Sequence, residues 1–369
     1  MSLSSAFAPV AFSQLPGWAD DDHAPAFAAF ARSAERVLIK QYRTGSLGVE
    51  CAAFDAAYSD ARDFMSLDGE QARAFFERHF VPFRVSPAAG ATTGFVTGFY
   101  EPQVEASAER DGRFQFPLYE RPDDLVDVDV DDGNRPDGMD PYLAFGRQTP
   151  HGIVEYYDRQ AVDQGALAGR GLEIAWLADP VDVYFIHVQG AARLAMNDGS
   201  LRRVTYAAKS GQRFTGAGKV LAELGEIPLD KVTMQSIRGW FARHPERVHE
   251  ILWRNRSFIF FRDAPVDDAA LGPVAAAKVP LTPGRSVAID RLLHTFGTPF
   301  HIAAPSLTAF DGRPFNRLMI SQDTGSAIIG PARGDLFTGS GDAAGEIAGV
   351  IKHAAEFFAL LPRPLVEGR

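Results

Sequence analysis

The sequence predicts an α+β fold, mainly β with helices, and three observations carry that prediction. The 34 glycines and 24 prolines break the text into many short apolar runs, a strand-and-turn texture. Several of these runs are rich in aromatic and β-branched residues, the side chains that suit a pleated surface. Helical periodicity, with apolar residues three and four apart, is confined to a few stretches. At 369 residues, with 46% hydrophobic and 23% charged residues, the chain has room for two domains of ordinary size or one large one.

From Pro25 to about Phe83 the text is helical: AFAAFARSAERVLIKQY and ARAFFERHFVPF both carry the helical spacing. At GFVTGFYEPQVEAS (Gly94 to Ser107) aromatic residues alternate with small or polar ones as in a strand, and Pro102 suggests an edge or exit. VDVYFIHVQGAARL (Val181 to Leu194) and RSFIFFRD (Arg256 to Asp263) read as further strands. Between them GAGKVLAELG, TMQSIRGWFARH and PERVHEILWRN read as helices, each bounded by Gly, Pro or Asp. Strands return in RSVAIDRLL, GTPFHIAAP and NRLMISQDTGSAIIG. The chain then closes on a predicted helix, where Ile347, Val350, Ile351, Ala354, Phe357, Phe358 and Leu361 form one apolar stripe stopped by Pro362. That stripe reads as core packing.

The net charge of −10 argues against nucleic acid as a partner, because a polyanion footprint needs clustered Lys and Arg. The most acidic run, DDLVDVDVDDGNRPDGMD (Asp123 to Asp140), lacks the ordered ligand spacing of a calcium loop and reads as a solvated loop. Cys51 is the only cysteine, so no intrachain disulfide or thiolate zinc site can form. No apolar run approaches the roughly 18 residues of a spanning helix. The start, MSLSSAFAPVAF, lacks the basic-then-apolar pattern of a signal peptide, as a mature fragment would.

Asp323-Thr324-Gly325-Ser326, in MISQDTGSAIIG, matches the string with which aspartic proteases present a catalytic carboxylate. Those enzymes need two carboxylates about 3 Å apart sharing one proton, and therefore two such turns. This chain has one: Asp198-Gly199 and Asp311-Gly312 lack the intervening Thr or Ser. The sequence holds no His-Glu-x-x-His and no Gly-x-Ser-x-Gly, and its nine histidines are scattered without ligand spacing. His187, His294 and His301 lie in apolar contexts and read as structural. Neither a metal nor a cofactor is implied.

The C-terminal third frames three aspartates. Asp290 ends RSVAID, Asp323 opens DTGSAIIG, and Asp335 follows in RGDLFTGSGDAAGEIAG. The string VAID…GTPFHI…QDTGSAIIGPARGDLFTGSG is preceded in order by TGFYEPQ, YYDRQAVDQGALAGRGLEIAWLADPVDVYFIHVQG, VTYAAKSGQRFTGAGKVL and SFIFF. From about Gly94 to Gly349 this text resembles the membrane-bound lytic murein transglycosylases of the A type, whose three-Asp module is a double-psi β-barrel.

The resemblance implies a bacterial enzyme that cleaves the β-1,4 bond between N-acetylmuramic acid and N-acetylglucosamine, leaving a 1,6-anhydro end on the muramic residue without consuming water. Ordinary glycosidases use two carboxyl groups. An attacking 6-hydroxyl on the same sugar makes one role intramolecular, with an effective molarity on the order of 10⁵ M in favourable cases. One carboxyl can then act first as acid and afterwards as base.

The family's Asp-x-apolar-x-Gly-x-Gly segment falls on Asp335 of DLFTGSG, with Leu336 and Phe337 as the apolar neighbours expected to raise its pKa. Asp323 is expected either to orient the site electrostatically or to satisfy backbone N–H groups at its turn, and Asp290 to lean toward a structural role. Thr97, Tyr100, Glu101 and Gln189 are expected to line a groove, Tyr100 by stacking on a sugar, Gln189 and Thr97 by hydrogen bonds. Glu101 is also a rival acid by chemistry alone. The chain departs from the family pattern at Gln189-Gly190-Ala191-Ala192-Arg193, at Ser326 and at Ser210-Gly211, which puts subsite preference in question rather than reaction class.

The expected architecture is a double-psi β-barrel from residues 1–103 and 264–369, with a β-rich domain inserted at 104–263 and a groove between them. Peptidoglycan glycan strands are the expected partner and other cell-wall enzymes are further candidates. No nucleic acid is expected, and the membrane enters only through a lipid anchor lost with a native leader. The expected location is periplasmic and outer-membrane associated. The competing function is a non-catalytic double-psi barrel that binds glycan and loosens the wall.

Overall fold

The computed structural model describes residues 3–128, 135–136, 138–140, 142–325 and 327–367. Its contacts divide the chain into two compact units, Met1–Tyr100 with Asp268–Arg369, and Glu101–Asp267.

Among the described residues, the first unit is built on an eight-stranded sheet. Six of its strands close into a barrel: β1 (Gly94–Glu101), β2 (Ser286–Ala288), β3 (Pro299–Ala304), β4 (Phe315–Asp323), β5 (Arg333–Ser340) and β6 (Lys352–Pro362). Around the ring the order is β1, β6, β3, β4, β2, β5 and back to β1. β2 and β4 run parallel, whereas β2–β5, β3–β4, β3–β6 and β1–β6 are antiparallel. This is the closed barrel expected of a double-psi fold, and closure leaves no sheet edge within the ring. One edge of β6 is shared, by β1 along Lys352–Ala355 and by the strand Phe80–Val85 along Phe358–Pro362.

Two expectations change in this unit. The predicted closing helix is instead a helix at Asp342–Val350 followed by β6. Every residue from Phe357 to Leu361 is buried. A strand covered on both faces carries a continuous apolar run, and read at helical spacing such a run yields a stripe. Likewise Phe80–Val85, in the stretch expected to be helical, is a strand that follows directly on the helix Gly69–His79.

The N-terminal helices cover the barrel with aromatic side chains. Phe30 of the helix Ala24–Ile39 meets Tyr58, Phe75, Phe76 and Phe80 at ring separations of 5.1 to 5.8 Å. Gln322, fully buried on β4, ties this layer to the sheet. Its Nε2 donates to the Ala29 carbonyl at 2.7 Å and to Ser33 Oγ at 3.0 Å, while its Oε1 accepts from Ser286 Oγ at 2.6 Å. A buried amide needs such partners, and Gln322 falls in a bulge of β4, where Val287 pairs with Ser321 and Ala288 with Asp323. His294 and His301 are buried donors to the carbonyls of Pro331 and Pro16, each at 2.7 Å, and burial lowers both imidazole pKa values to about 4.

The second unit combines a six-stranded sheet with a helical layer. Across the sheet the order is Ile259–Ala264, Leu201–Lys209, Ala191–Met196, Gln103–Ser107, Glu173–Leu177 and Phe116–Tyr119. The helices Pro180–Gln189, Ala217–Glu223, Met234–Arg243 and Val248–Leu252 share a core that includes Tyr184, Phe185, Leu221, Trp240, Phe241 and Ile251. Here the expected strand Val181 to Leu194 divides into the helix Pro180–Gln189 and the strand Ala191–Met196. The Asp179 side chain accepts from the Val181 N–H at 2.7 Å, Pro180 sits in the first turn, and Gly190 ends the helix at φ 77°. These caps outweigh a β-branched, aromatic composition that favours a strand. In the acidic run, Asp124, Asp127 and Asp140 pair with Arg170, Arg121 and Arg213, while residues 129–134 and 137 lie outside the described residues.

Candidate active site

The barrel strands place the three aspartates by register. On the short strand β2, Ala288 pairs with Asp323 of β4 on one side and with Asp335 of β5 on the other. Side chains of register partners share a face, so both carboxylates emerge on the same side of the sheet, one strand either side of Ala288. Within β5, alternation puts Arg333 beside Asp335 on that face and sends Leu336 into the opposite, fully buried core. The Leu336 side chain thus lies away from Asp335, a correction to the expectation that it forms the apolar wall of the acid. Phe337 lies on the side of Asp335 but is itself buried, with its ring 5.3 Å from that of Phe99.

β1 completes the constellation. Phe95 and Thr97, two residues apart, face Arg333 and Asp335. The Thr97 hydroxyl donates to Asp335 Oδ1. Arg333 Nη2 donates to Thr97 Oγ1 at 2.7 Å, and the guanidinium lies 5.6 Å from the centre of the Phe95 ring. Burial raises the Asp335 pKa above the ordinary carboxylate value, against the lowering influence of the Arg333 charge and the Thr97 hydrogen bond. A half-buried carboxyl whose pKa burial raises, and which keeps one oxygen engaged, is suited to donate a proton.

Asp323 is held differently. Its Oδ1 accepts from the Ala276 N–H at 3.2 Å, and the Thr324 hydroxyl caps the Ile289 carbonyl at 2.8 Å. Burial pushes its pKa up to about 6, the hydrogen bonds from Thr324 and Ala276 oppose this, and the Asp335 charge adds to it. Lys278, in a left-handed conformation with φ 62°, supplies a compensating positive charge. Asp290 lies beyond the end of β2. Its carboxylate accepts from the Leu292 and Gly330 N–H groups, each at 3.0 Å, which ties together two loops on this rim of the barrel.

The other expected site residues are held as follows. Tyr100 is buried at the end of β1, and a Cβ on Gly345 would meet its ring at 2.9 Å. Glu101, read from the sequence as a groove residue and a rival acid, is fully buried between Arg193 and Arg203. Gln189 ends the helix Pro180–Gln189 in the second unit. In the same unit the departures Ala191 and Ala192 are buried in their strand, and Ser210 Oγ accepts from the Phe258 N–H at 3.1 Å. Ser326 lies outside the described residues. The residue that sequence reasoning missed is Arg333. Its signal was present in ARGDLF, because a strand there puts Arg333 and Asp335 on one face.

Comparison with known proteins agrees with this geometry. A family model described as the MltA specific insert domain matches residues 95–262, and one described as the 3D domain matches residues 285–361. Membrane-bound lytic murein transglycosylase A of Escherichia coli K12 is 32% identical over 274 residues, which are 73% of this chain and 66% of that protein. The chain thus spans just under two thirds of the length of this curated relative. Among solved structures, a membrane-bound lytic murein transglycosylase from Agrobacterium tumefaciens is 50% identical, covering 98% of this chain and 99% of that one, with a TM-score of 0.92. Escherichia coli MltA with bound chitohexaose is 25% identical, covering 97% of this chain and 91% of that one, with a TM-score of 0.65. With both family models in order along the chain and the barrel that carries Asp335 in place, the chain belongs to the membrane-bound lytic murein transglycosylase A family.

Proposed function

We propose that this chain is a peptidoglycan lytic transglycosylase, with Asp335 as its single acid/base. The observation that carries the reading is the Asp335 carboxyl itself: it is half-buried, raised in pKa by burial, and pinned through one oxygen by Thr97. In the reaction, Asp335 gives its proton to the glycosidic oxygen as the bond from the muramic C1 to that oxygen breaks. The muramic 6-hydroxyl attacks C1 and its proton passes to the Asp335 carboxylate. The products are a 1,6-anhydromuramic end and a free glucosamine 4-hydroxyl, and the acid is regenerated with no water consumed.

Asp323 is a supporting carboxylate whose charge is linked to that of Asp335, and Asp290 shapes the rim. Gln189 is assigned to glycan contact, and the chitohexaose held by the Escherichia coli relative supports a glycan strand as the ligand. The membrane-bound relatives support a periplasmic, outer-membrane-associated setting, and among the described residues no helix is long and apolar enough to cross a membrane.

Digestion of purified murein sacculi tests the reading. Release of muropeptides ending in anhydromuramic acid, identified by mass, is expected. Binding to sacculi without release would replace catalysis by wall loosening, and products carrying a reducing muramic end would point to hydrolysis.

A further inference from the structure

Arg333 carries no assigned role, yet it is built into the site on three sides. Its guanidinium stacks over Phe95, contacts the Gly334 carbonyl, and donates from Nη2 to Thr97 Oγ1 at 2.7 Å. Thr97 in turn touches Asp335 Oδ1. The four side chains come from two adjacent strands, Phe95 and Thr97 from one and Arg333 and Asp335 from the other, each pair two residues apart on one face.

The chemistry of the middle group decides what this arrangement does. A hydroxyl has one proton to donate, and a guanidinium can only donate. Arg333 therefore occupies a lone pair of Thr97 Oγ1. Among the described residues, Arg333 and Asp335 are the side-chain partners of Thr97. If the Asp335 proton sat on Oδ1 and pointed at Thr97, the threonine proton would have no side-chain acceptor. With the proton on Oδ2, the Thr97 hydroxyl keeps Oδ1 as its acceptor and Arg333 Nη2 keeps Thr97 Oγ1.

We propose that Arg333 is a positioning residue for Asp335: it commits the Thr97 hydroxyl to donate to Oδ1 and so leaves Oδ2 as the oxygen that carries and delivers the acid's proton. The proposal rests on the reading of Asp335 as acid/base. Its charge also opposes the effect of burial, so the same residue sets how far the carboxyl titrates upward. The other charges nearby are Asp323, across Ala288, on which the Asp335 charge acts, and Lys278, whose charge acts on Asp323. Of the three charged groups, Arg333 is the one bonded to Thr97.

The test is a carboxyl ¹³C titration of Asp335 in the full chain, with the resonance assigned by its loss in Asp335→Asn. It is compared in wild type, Arg333→Met, Arg333→Lys and Thr97→Val. A nearby opposite charge lowers a carboxyl by ~1–3 units, so Arg333→Met is expected to move the titration up by about one unit, and Arg333→Lys to restore most of it. Thr97→Val, which removes the hydroxyl and keeps the shape, is expected to move it in the same direction.

With sacculi as substrate, Arg333→Met should lower kcat by ~10–100-fold with KM within about 3-fold, and shift the alkaline limb of the rate profile together with the titration. In a Thr97→Val background the further kcat loss from Arg333→Met should be within about 3-fold, because a residue acting through another loses its effect when the other is gone. An unmoved titration in Arg333→Met, or fully additive kcat losses, overturns the proposal. If Arg333→Met does not fold, Thr97→Val and Arg333→Lys decide the same question. The titration is read without substrate, so a wild type that releases no anhydromuramic product sinks the enzymatic reading while the role of Arg333 in Asp335 titration is judged separately.

Discussion

Asp335 and Asp323 take matching register positions on the two sides of Ala288, but their hydrogen-bond partners differ. Asp335 meets a hydroxyl and, through it, a guanidinium, whereas Asp323 is gripped by backbone N–H groups. Replacing Asp335 by Asn keeps the acceptor for Thr97 and removes the proton that the proposed mechanism transfers. Turnover of sacculi is expected to fall at least ~10²–10⁴-fold, the usual worth of a general acid, while co-sedimentation with sacculi is retained. As the proposed acid works in its protonated form, activity should fade along an alkaline limb, and the two linked carboxyls are expected to titrate as a pair. Asp323 makes a separate prediction about stability. Its folded pKa of about 6 stands above its ordinary value of 3.8, so its protonated form favours folding. That contribution is complete below about pH 4 and is lost as the pH rises through about 6. Asp323→Asn, which cannot ionise, should therefore gain about 1–3 kcal/mol on wild type between pH 4 and pH 8. Thermal melts at the two pH values check this, and an unchanged difference would remove burial as the cause of the raised pKa.

At the scale of elements, Glu101 is a strand-end carboxylate fully buried between two arginines. Arg193 and Arg203 are direct cross-strand partners, a like-charge pair that opposes pairing of their strands. The Glu101 carboxylate resolves the conflict, accepting from Arg193 Nε at 2.9 Å and from Arg203 Nε at 2.6 Å with its own side chain fully buried. Glu101→Ala leaves two guanidinium groups in a site of low polarity, and a loss of ~3–5 kcal/mol is expected in denaturant unfolding. A loss below about 1 kcal/mol would show that water reaches the site. The neighbouring Tyr100 is set by a helix instead. The helix Asp342–Val350 passes so close that Gly345 has no room for a Cβ against the Tyr100 ring. The misread segments at Val181–Leu194 and at Ile347–Leu361 share one origin. Composition and periodicity describe a buried apolar run without saying which surface buries it, and capping residues or barrel neighbours then choose helix or strand.

At the scale of the whole molecule, the barrel is made from two stretches of chain separated by the Glu101–Asp267 unit. β1 comes from the first stretch and closes the ring between β5 and β6, which both come from the second. The first stretch also brings Thr97 to Asp335, and Ala29 and Ser33 to Gln322. Residues 268–369 expressed alone should therefore fail to close: with two strand edges and an aromatic-lined core exposed, a collapsed amide spectrum and aggregation are expected. A dispersed spectrum with a cooperative melt from that fragment would show that the ring closes without β1.

Some of this was legible in the sequence alone. The α+β class, the helix at Ala24–Ile39 and the strand that carries Gly94–Glu101 follow from local periodicity, because period and propensity are properties of neighbouring residues. The family follows from several motifs in a fixed order, and with it Asp335 as the residue to examine. What joins Asp335 to its surroundings was decided only by tertiary structure. Thr97 lies 238 positions from Asp335 along the chain and yet shares a hydrogen bond with it, and Asp323 matches Asp335 only through the register of β2. Register and burial depend on which strands meet, so the same aspartate string can be a protease turn in one fold and the end of a barrel strand in this one. The sequence names the residue types, and the barrel decides which of them touch.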